Sequence, residues 1–238
     1  GNPLAAQFIP NAATGVVTNL VTGPGIEMRA SGTSVLNNPT IVGNDVRFQQ
    51  GGGVVVTATE EAQINNLLVQ NNIVLNNGTT SNTGVISGGG VNVNTLNATT
   101  ASVTGSIFNN SISDNFGPGI SLNANSGTVN ILQIDRNTLS NNTNGISLST
   151  LNNGTVTTRV TNNRISGSTQ NGFVTSADFG TINVNQFTNN VISASGRNGI
   201  QLGASNGGVL NLGVTEDINL NGILDAGEDV NGNGLLDL

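Results

Sequence analysis

Apolar and polar positions return on one beat of about 27 residues between Phe108 and Leu202. Gly119-Ile120-Ser121-Leu122 recurs as Gly145-Ile146-Ser147-Leu148, Gly172-Phe173-Val174-Thr175 and Gly199-Ile200-Gln201-Leu202, at steps of 26, 27 and 27 residues. Ile112-Ser113, Leu139-Ser140, Ile165-Ser166 and Ile192-Ser193 keep the same phase, as do Thr128-Val129, Thr155-Val156, Thr181-Ile182 and, more loosely, Val209-Leu210. Each unit holds three short segments of period two, which puts one side chain in and the next out, as in a strand. Asn, Gly, Ser and Thr clusters between them are turn chemistry. No window carries a helical stripe. A unit of three strands cannot bury its own apolar side, so it must stack on its neighbours. The pattern predicts a coil of parallel strands with rungs roughly 4.8 Å apart. Ile120, Ile146, Phe173 and Ile200 then form one internal stack, and Ile112, Leu139, Ile165 and Ile192 another.

Asn109-Asn110, Asn162-Asn163 and Asn189-Asn190, with Asn137, fall at one corner of this coil. Asn tolerates left-handed backbone geometry. Its stacked amides can hydrogen-bond along the axis, or the residue can serve only as a solvated turn former. Both readings stand at this point.

The Asn-Asn-x-Ile-Ser and Gly-Ile-x-Leu units resemble the parallel β-helix repeats of right-handed, pectate-lyase-like β-helices over roughly residues 50 to 212. The resemblance implies an all-β, right-handed parallel β-helix, a β-solenoid. It says little about activity, because that fold carries lyases, hydrolases, adhesins and passive stalks alike.

Looser markers extend the beat backwards. Gly25-Ile26, Gly53-Val54 and Gly84-Val85 lead into Gly119 at steps of 28, 31 and 35 residues, giving about seven coils. The lengthening is expected from insertions at Asn76 to Asn82 and Thr95 to Ser102. The loop around Gly88-Gly89-Gly90 and the run Thr95–Thr100 are candidate binding insertions, or slack turns. Residues 1–24 are apolar and irregular and are expected to cap the first rung or to form a polymerisation contact. The expected organisation is a cap or contact segment at 1–24, a β-helix at 25–214 and a linker at 215–238.

Composition narrows the function. The chain has no Cys, His, Trp, Tyr or Lys and only 8% charged residues. Its net charge of −7 is concentrated: residues 1–215 hold seven acids and six arginines, whereas 216–238 hold six acids and no base. Nucleic acid is not an expected partner, since phosphate calls for a basic footprint. No run is long and apolar enough for membrane insertion. The ends read as cuts within a longer exported protein, which points to the cell surface or the extracellular space.

The acidic stretch has its own chemistry. Asp217, Asn219 and Asn221 fall at positions 1, 3 and 5 of a twelve-residue EF-hand-type calcium loop, Gly222 at 6, Ile223 at 7, Asp225 at 9 and Glu228 at 12. Hard oxygen donors at this spacing wrap one Ca²⁺. A second loop follows at Asp229, Asn231, Asn233, Leu235 and Asp237, with its glycine at Gly234. The pair resembles the calcium loops of dockerin-like and related tandem linkers in exported bacterial proteins. No amphipathic helix flanks either loop, so a structural calcium site is expected rather than a sensor.

Catalysis is not expected. Nucleophilic Ser or Thr would lack a His base. The body's acids are Glu27, Asp45, Glu60, Glu61, Asp114, Asp135 and Asp178. No two of them can be placed at the separation glycoside cleavage requires, and Asp135-Arg136 reads as a local ion pair. Phe173 and Phe187 sit in phase with core positions, so few aromatics remain for sugar stacking. Thr157 and Thr158 are not repeated in other coils, which argues against an ice-binding Thr ladder. The expectation is a structural rod that self-associates or joins neighbouring domains into a filament, with calcium stiffening one junction. A polysaccharide-binding or polysaccharide-cleaving module, with surface glycans as partners, is the alternative.

Overall fold

A computed structural model describes residues 23–80, 86–96 and 100–213. These residues form a parallel β-solenoid without a helix, and the chain passes through its three sheets in turn. The first coil holds β1 (Ile26–Ala30), β2 (Val35–Asn37), β3 (Thr40–Val42) and β4 (Asp45–Arg47). The second holds β5 (Val54–Thr59), β6 (Gln63–Gln70) and β7 (Ile73–Leu75). A hairpin of β8 (Thr79–Thr80) and β9 (Ile86–Ser87) precedes the third, which holds β10 (Val91–Leu96), β11 (Ser102–Phe108) and β12 (Ser111–Ser113). The fourth holds β13 (Ile120–Asn125), β14 (Thr128–Asp135) and β15 (Thr138–Ser140). The fifth holds β16 (Ile146–Leu151), β17 (Thr155–Thr161) and β18 (Arg164–Ser166). The sixth holds β19 (Phe173–Asp178), β20 (Thr181–Thr188) and β21 (Val191–Ser193). Strands β22 (Ile200–Gln201), β23 (Ala204–Ser205) and β24 (Val209–Leu212) open a further turn. The solenoid therefore completes about six turns, close to the seven expected.

Register bears out all three repeat markers. Ile120 pairs with Ile146, Ile146 with Phe173 and Phe173 with Ile200. Ile112, Leu139, Ile165 and Ile192 stack in the third sheet. Val129, Val156, Ile182 and Leu210 stack in the second. Alternation along each strand sends these side chains inward. Those between the second and fifth coils are fully buried, and they fuse into one continuous core.

One marker was misassigned. Val91, not Val85, pairs with both Val54 and Ile120, so the third coil begins at Gly90-Val91. Gly84-Val85 lies outside the described residues. The steps from Ile26 are then 28, 37 and 29 residues, and the longest holds the β8–β9 hairpin. Alternation alone could not separate two Gly-Val pairs six residues apart; backbone pairing does.

The corners depend on left-handed residues. Between the second and third sheets, φ is positive at Gly43, Asn71, Asn109, Arg136, Asn162 and Asn189. Between the third sheet and the next coil, it is positive at Phe48, Asn76, Asp114, Asn141, Gly167 and Ala194. Asn, Asp and Gly accept this geometry at little cost. One such residue at each bend turns the chain sharply and leaves the flanking strands straight. The expected cap at 1–24 lies almost wholly outside the described residues.

Candidate functional site

Asn ladders inside the corners are the most ordered polar feature of the rod. After each left-handed residue of the first corner comes an inward-facing Asn. Asn44, Asn72, Asn110, Asn137, Asn163 and Asn190 form one file, in which the backbone N–H and Nδ2 of each donate to Oδ1 of the next at 2.9–3.0 Å. Nδ2 also reaches back to a carbonyl one coil behind, as Asn137 does to Ile107 at 3.1 Å. The ladder reading therefore holds, and the left-handed member of each pair, such as Asn109 or Asn162, is the turn former. Two further ladders were missed. Asn77, Asn115 and Asn142 line the next corner. Asn144, Asn171 and Asn198 line the approach to the first sheet, with donation running in the opposite direction. The doubled asparagines Asn76-Asn77 and Asn141-Asn142 were the available signal for the first of these, and the Asn-Gly pairs at Asn144, Asn171 and Asn198 for the second.

Columns of Ser, Thr and Asn stand in register on the outer faces of the third to sixth coils, although one outward column of the third sheet also carries Asp45, Ile73, Arg164 and Val191. The second sheet presents Ser102, Thr128, Thr155 and Thr181 beside Thr104, Asn130, Thr157 and Asn183. The third presents Ser113, Ser140, Ser166 and Ser193. On the first, Asn123 Nδ2 donates to Asn94 Oδ1 at 3.1 Å, and Ser149 Oγ donates to Asn123 Oδ1. The repeated Thr column is thus Thr128, Thr155 and Thr181, residues first noticed only as strand markers; Thr158 is buried in the core.

The body's acids do not converge. Asp45 pairs with Arg47 and Glu27 with Arg29 on the surface. Asp114 accepts from Asn141 Nδ2 at 3.0 Å, and Asp178 from Asn206 Nδ2 at 2.7 Å. Asp114 and Asp135 sit at different corners, separated by the third sheet. Among the described residues no group of three or more Asp, Glu, His or Cys side chains comes together. The calcium-loop residues Asp217, Asn219, Asn221, Ile223, Asp225, Glu228, Asp229, Asn231, Asn233, Leu235 and Asp237 lie outside the described residues.

Asp135 is the one buried carboxylate among them, with 6% of its side chain exposed. Burial alone pushes its pKa up. Hydrogen bonds from Asn162 at 2.8 Å, Thr161 at 2.7 Å and Arg136 at 2.6 Å, together with the Arg136 charge, outweigh burial and hold it below its ordinary value. The folded pKa is the lower one, so this carboxylate stabilises the fold fully above its unfolded value of about 3.8 and loses that effect as pH falls through the folded value. The thermal midpoint should stay level from about pH 7 to about pH 5 and fall below about pH 4. Asp135→Asn should flatten that acid limb, as differential scanning calorimetry would show.

Other candidates resolve differently. Gly89 and Gly90 form a buried corner, not an open loop: a Cβ on either would lie closer than 3.0 Å to the backbone of Pro118 or Gly119. Part of the Thr95–Thr100 run lies outside the described residues, and Thr95 itself is buried. Phe173 packs on Phe187 in the core with ring centroids 4.8 Å apart. Among the described residues the exposed aromatics are Phe48, Phe116 and Phe179, each at a different corner position.

No family model, curated protein or solved structure matches this chain.

Proposed function

We propose that this chain is a structural rod of an extracellular or cell-surface protein, of the right-handed, pectate-lyase-like β-helix type, with calcium stiffening the C-terminal junction. One observation carries the reading. The outward faces carry registered columns of Ser, Thr and Asn with few charges among them, and Glu27, Asp45, Asp114, Asp135 and Asp178 are each tied to a neighbouring side chain. Such a surface offers rigidity and regular spacing. Self-association end to end, or joining to neighbouring domains of a longer chain, is the use that fits a stack of equivalent rungs.

Calcium enters through the dockerin-like loop at Asp217–Glu228. Calorimetric titration of the full chain should give a dissociation constant of roughly 10⁻⁴ to 10⁻³ M, the range of extracellular modules. Asp217→Ala combined with Glu228→Gln should remove the first loop's share of the heat of binding. Unchanged heat in that variant would overturn the calcium assignment.

Glycan binding remains the second reading because Phe48, Phe116 and Phe179 are exposed. Retention of the protein on a polysaccharide column, lost on Phe116→Ala, would favour it over the rod.

A further inference from the structure

Six Asn-Gly pairs lie within the described residues, at Asn77, Asn144, Asn153, Asn171, Asn198 and Asn206. Asn-Gly is the dipeptide most open to spontaneous deamidation, because glycine leaves its amide nitrogen unshielded. The solenoid treats the six very differently. Asn77 is fully buried, and the Gly78 N–H donates to Gln49 O at 2.6 Å. Asn144 and Asn171 are ladder members, and the N–H groups of Gly145 and Gly172 are held by Asn171 O and Asn198 O at 3.0 Å. At Asn153 the Gly154 N–H is held by Leu151 O at 3.0 Å. Asn198 is anchored to Asn171 Oδ1 through both its backbone N–H and its Nδ2, and to Gln201.

Asn153 and Asn198 are exposed as well, but the first has its following glycine N–H held and the second is tied into the ladder through its backbone N–H and Nδ2. Asn206 has neither restraint: it is exposed, and its side chain keeps one bond, from Nδ2 to Asp178 Oδ1 at 2.7 Å. Asn206 and Gly207 both have positive φ, 52° and 77°, in a two-residue turn closed by Gly208 N–H to Ser205 O at 2.8 Å. No acceptor among the described residues holds the Gly207 N–H. The turn sits in the last described coil, where β23 and β24 are mostly exposed.

We propose that Asn206 is a self-modification site of this protein: its side-chain amide is lost in water while the laddered Asn-Gly pairs are spared. The Gly207 nitrogen, giving up its proton to solvent, attacks Asn206 Cγ. The Cγ–Nδ2 bond breaks and ammonia leaves, taking up a proton. Water then opens the five-membered succinimide at either carbonyl, giving aspartate or isoaspartate. Nothing is oxidised or reduced. The product places a carboxylate where an amide donated to Asp178, so one hydrogen bond becomes a like-charge contact. Isoaspartate also routes the backbone through the side chain and adds one carbon to the turn. Either product loosens the last described coil and makes it the part of the described solenoid that ages first.

The test is peptide mapping by mass spectrometry of the full chain, aged at mildly alkaline pH, beside a sample unfolded in urea. Conversion at Asn206 several-fold faster than at Asn144 and Asn171 in the folded chain, with the difference erased in urea, is the expected result. Equal rates at Asn144 and Asn206 in the folded chain would overturn the proposal. So would an Asn206 that stays intact while the urea sample converts. The consequence is read separately on Asn206→Asp, in which amide exchange over β23 and β24 should quicken several-fold at neutral pH. Unchanged exchange there would remove the loosening step.

Discussion

Replacing Asn137 with alanine is expected to lower folding stability by about 3–5 kcal/mol, read from the midpoint of urea unfolding at constant slope. The side chain is 1% exposed. Its Oδ1 accepts the backbone N–H of Asn110 at 3.0 Å and Asn110 Nδ2 at 2.9 Å. Its Nδ2 donates to Asn163 Oδ1, Ile107 O and Asp135 O. Alanine strands the buried Asn110 N–H, at about 1–3 kcal/mol when left without a partner, and removes the amide's other four hydrogen bonds. It also leaves a void the size of an amide. Asn123→Ala, on the outer face of the first sheet, removes an amide that water replaces and should cost less than about 1 kcal/mol. If the two substitutions cost the same, the internal ladder does not stabilise the rod.

Gly145→Ala is the second large effect. Glycines at 53, 90, 119, 145 and 172 stand where the chain turns into the first sheet, directly over the apolar stack of the third. Their φ values are ordinary, so the requirement is space rather than backbone freedom. A Cβ at Gly145 would sit closer than 3.0 Å to Ile165 Cγ2 and to the carbonyl oxygen of Gly172. The Ile165 methyl can rotate away; the Gly172 carbonyl is fixed, because Ile146 N–H donates to it at 2.9 Å. Parting two rungs breaks the pairing between neighbouring coils, and overpacking of this kind costs about 1–3 kcal/mol. The joint variant Gly145→Ala/Gly172→Ala should exceed the sum of its parts, because the strained rungs are adjacent. A calorimetric midpoint unchanged by Gly145→Ala would show that the corner has slack the geometry denies.

These positions show what the sequence made legible. The three apolar stacks could be read because burial forces period two within a strand, and stacking forces period 27 between coils. Ile120, Ile146 and Phe173 fell into register on that basis alone. The corner Asn file was visible where two asparagines stood together. Its extension to Asn72 fell out of phase although Asn71-Asn72 is doubled, because a 37-residue step broke the beat at the β8–β9 hairpin, and Asn44 follows Gly43 with no doubled pair to mark it. The same break moved the third coil's marker from Gly84-Val85 to Gly90-Val91. Outer polar columns could not be read as a surface before register was known, since Thr128, Thr155 and Thr181 look like any turn-flanking residue. The calcium-loop motif at Asp217–Glu228 is legible through the spacing of its oxygen donors. It lies outside the described residues, so the sequence remains its support.

The proposed rod assembles through its stacked ends, with calcium at one junction. Negative-stain electron microscopy of the full chain in millimolar calcium, repeated after chelation, tests it most directly. Filaments that shorten or dissolve on chelation are the predicted result. Single short particles in both conditions would contradict it.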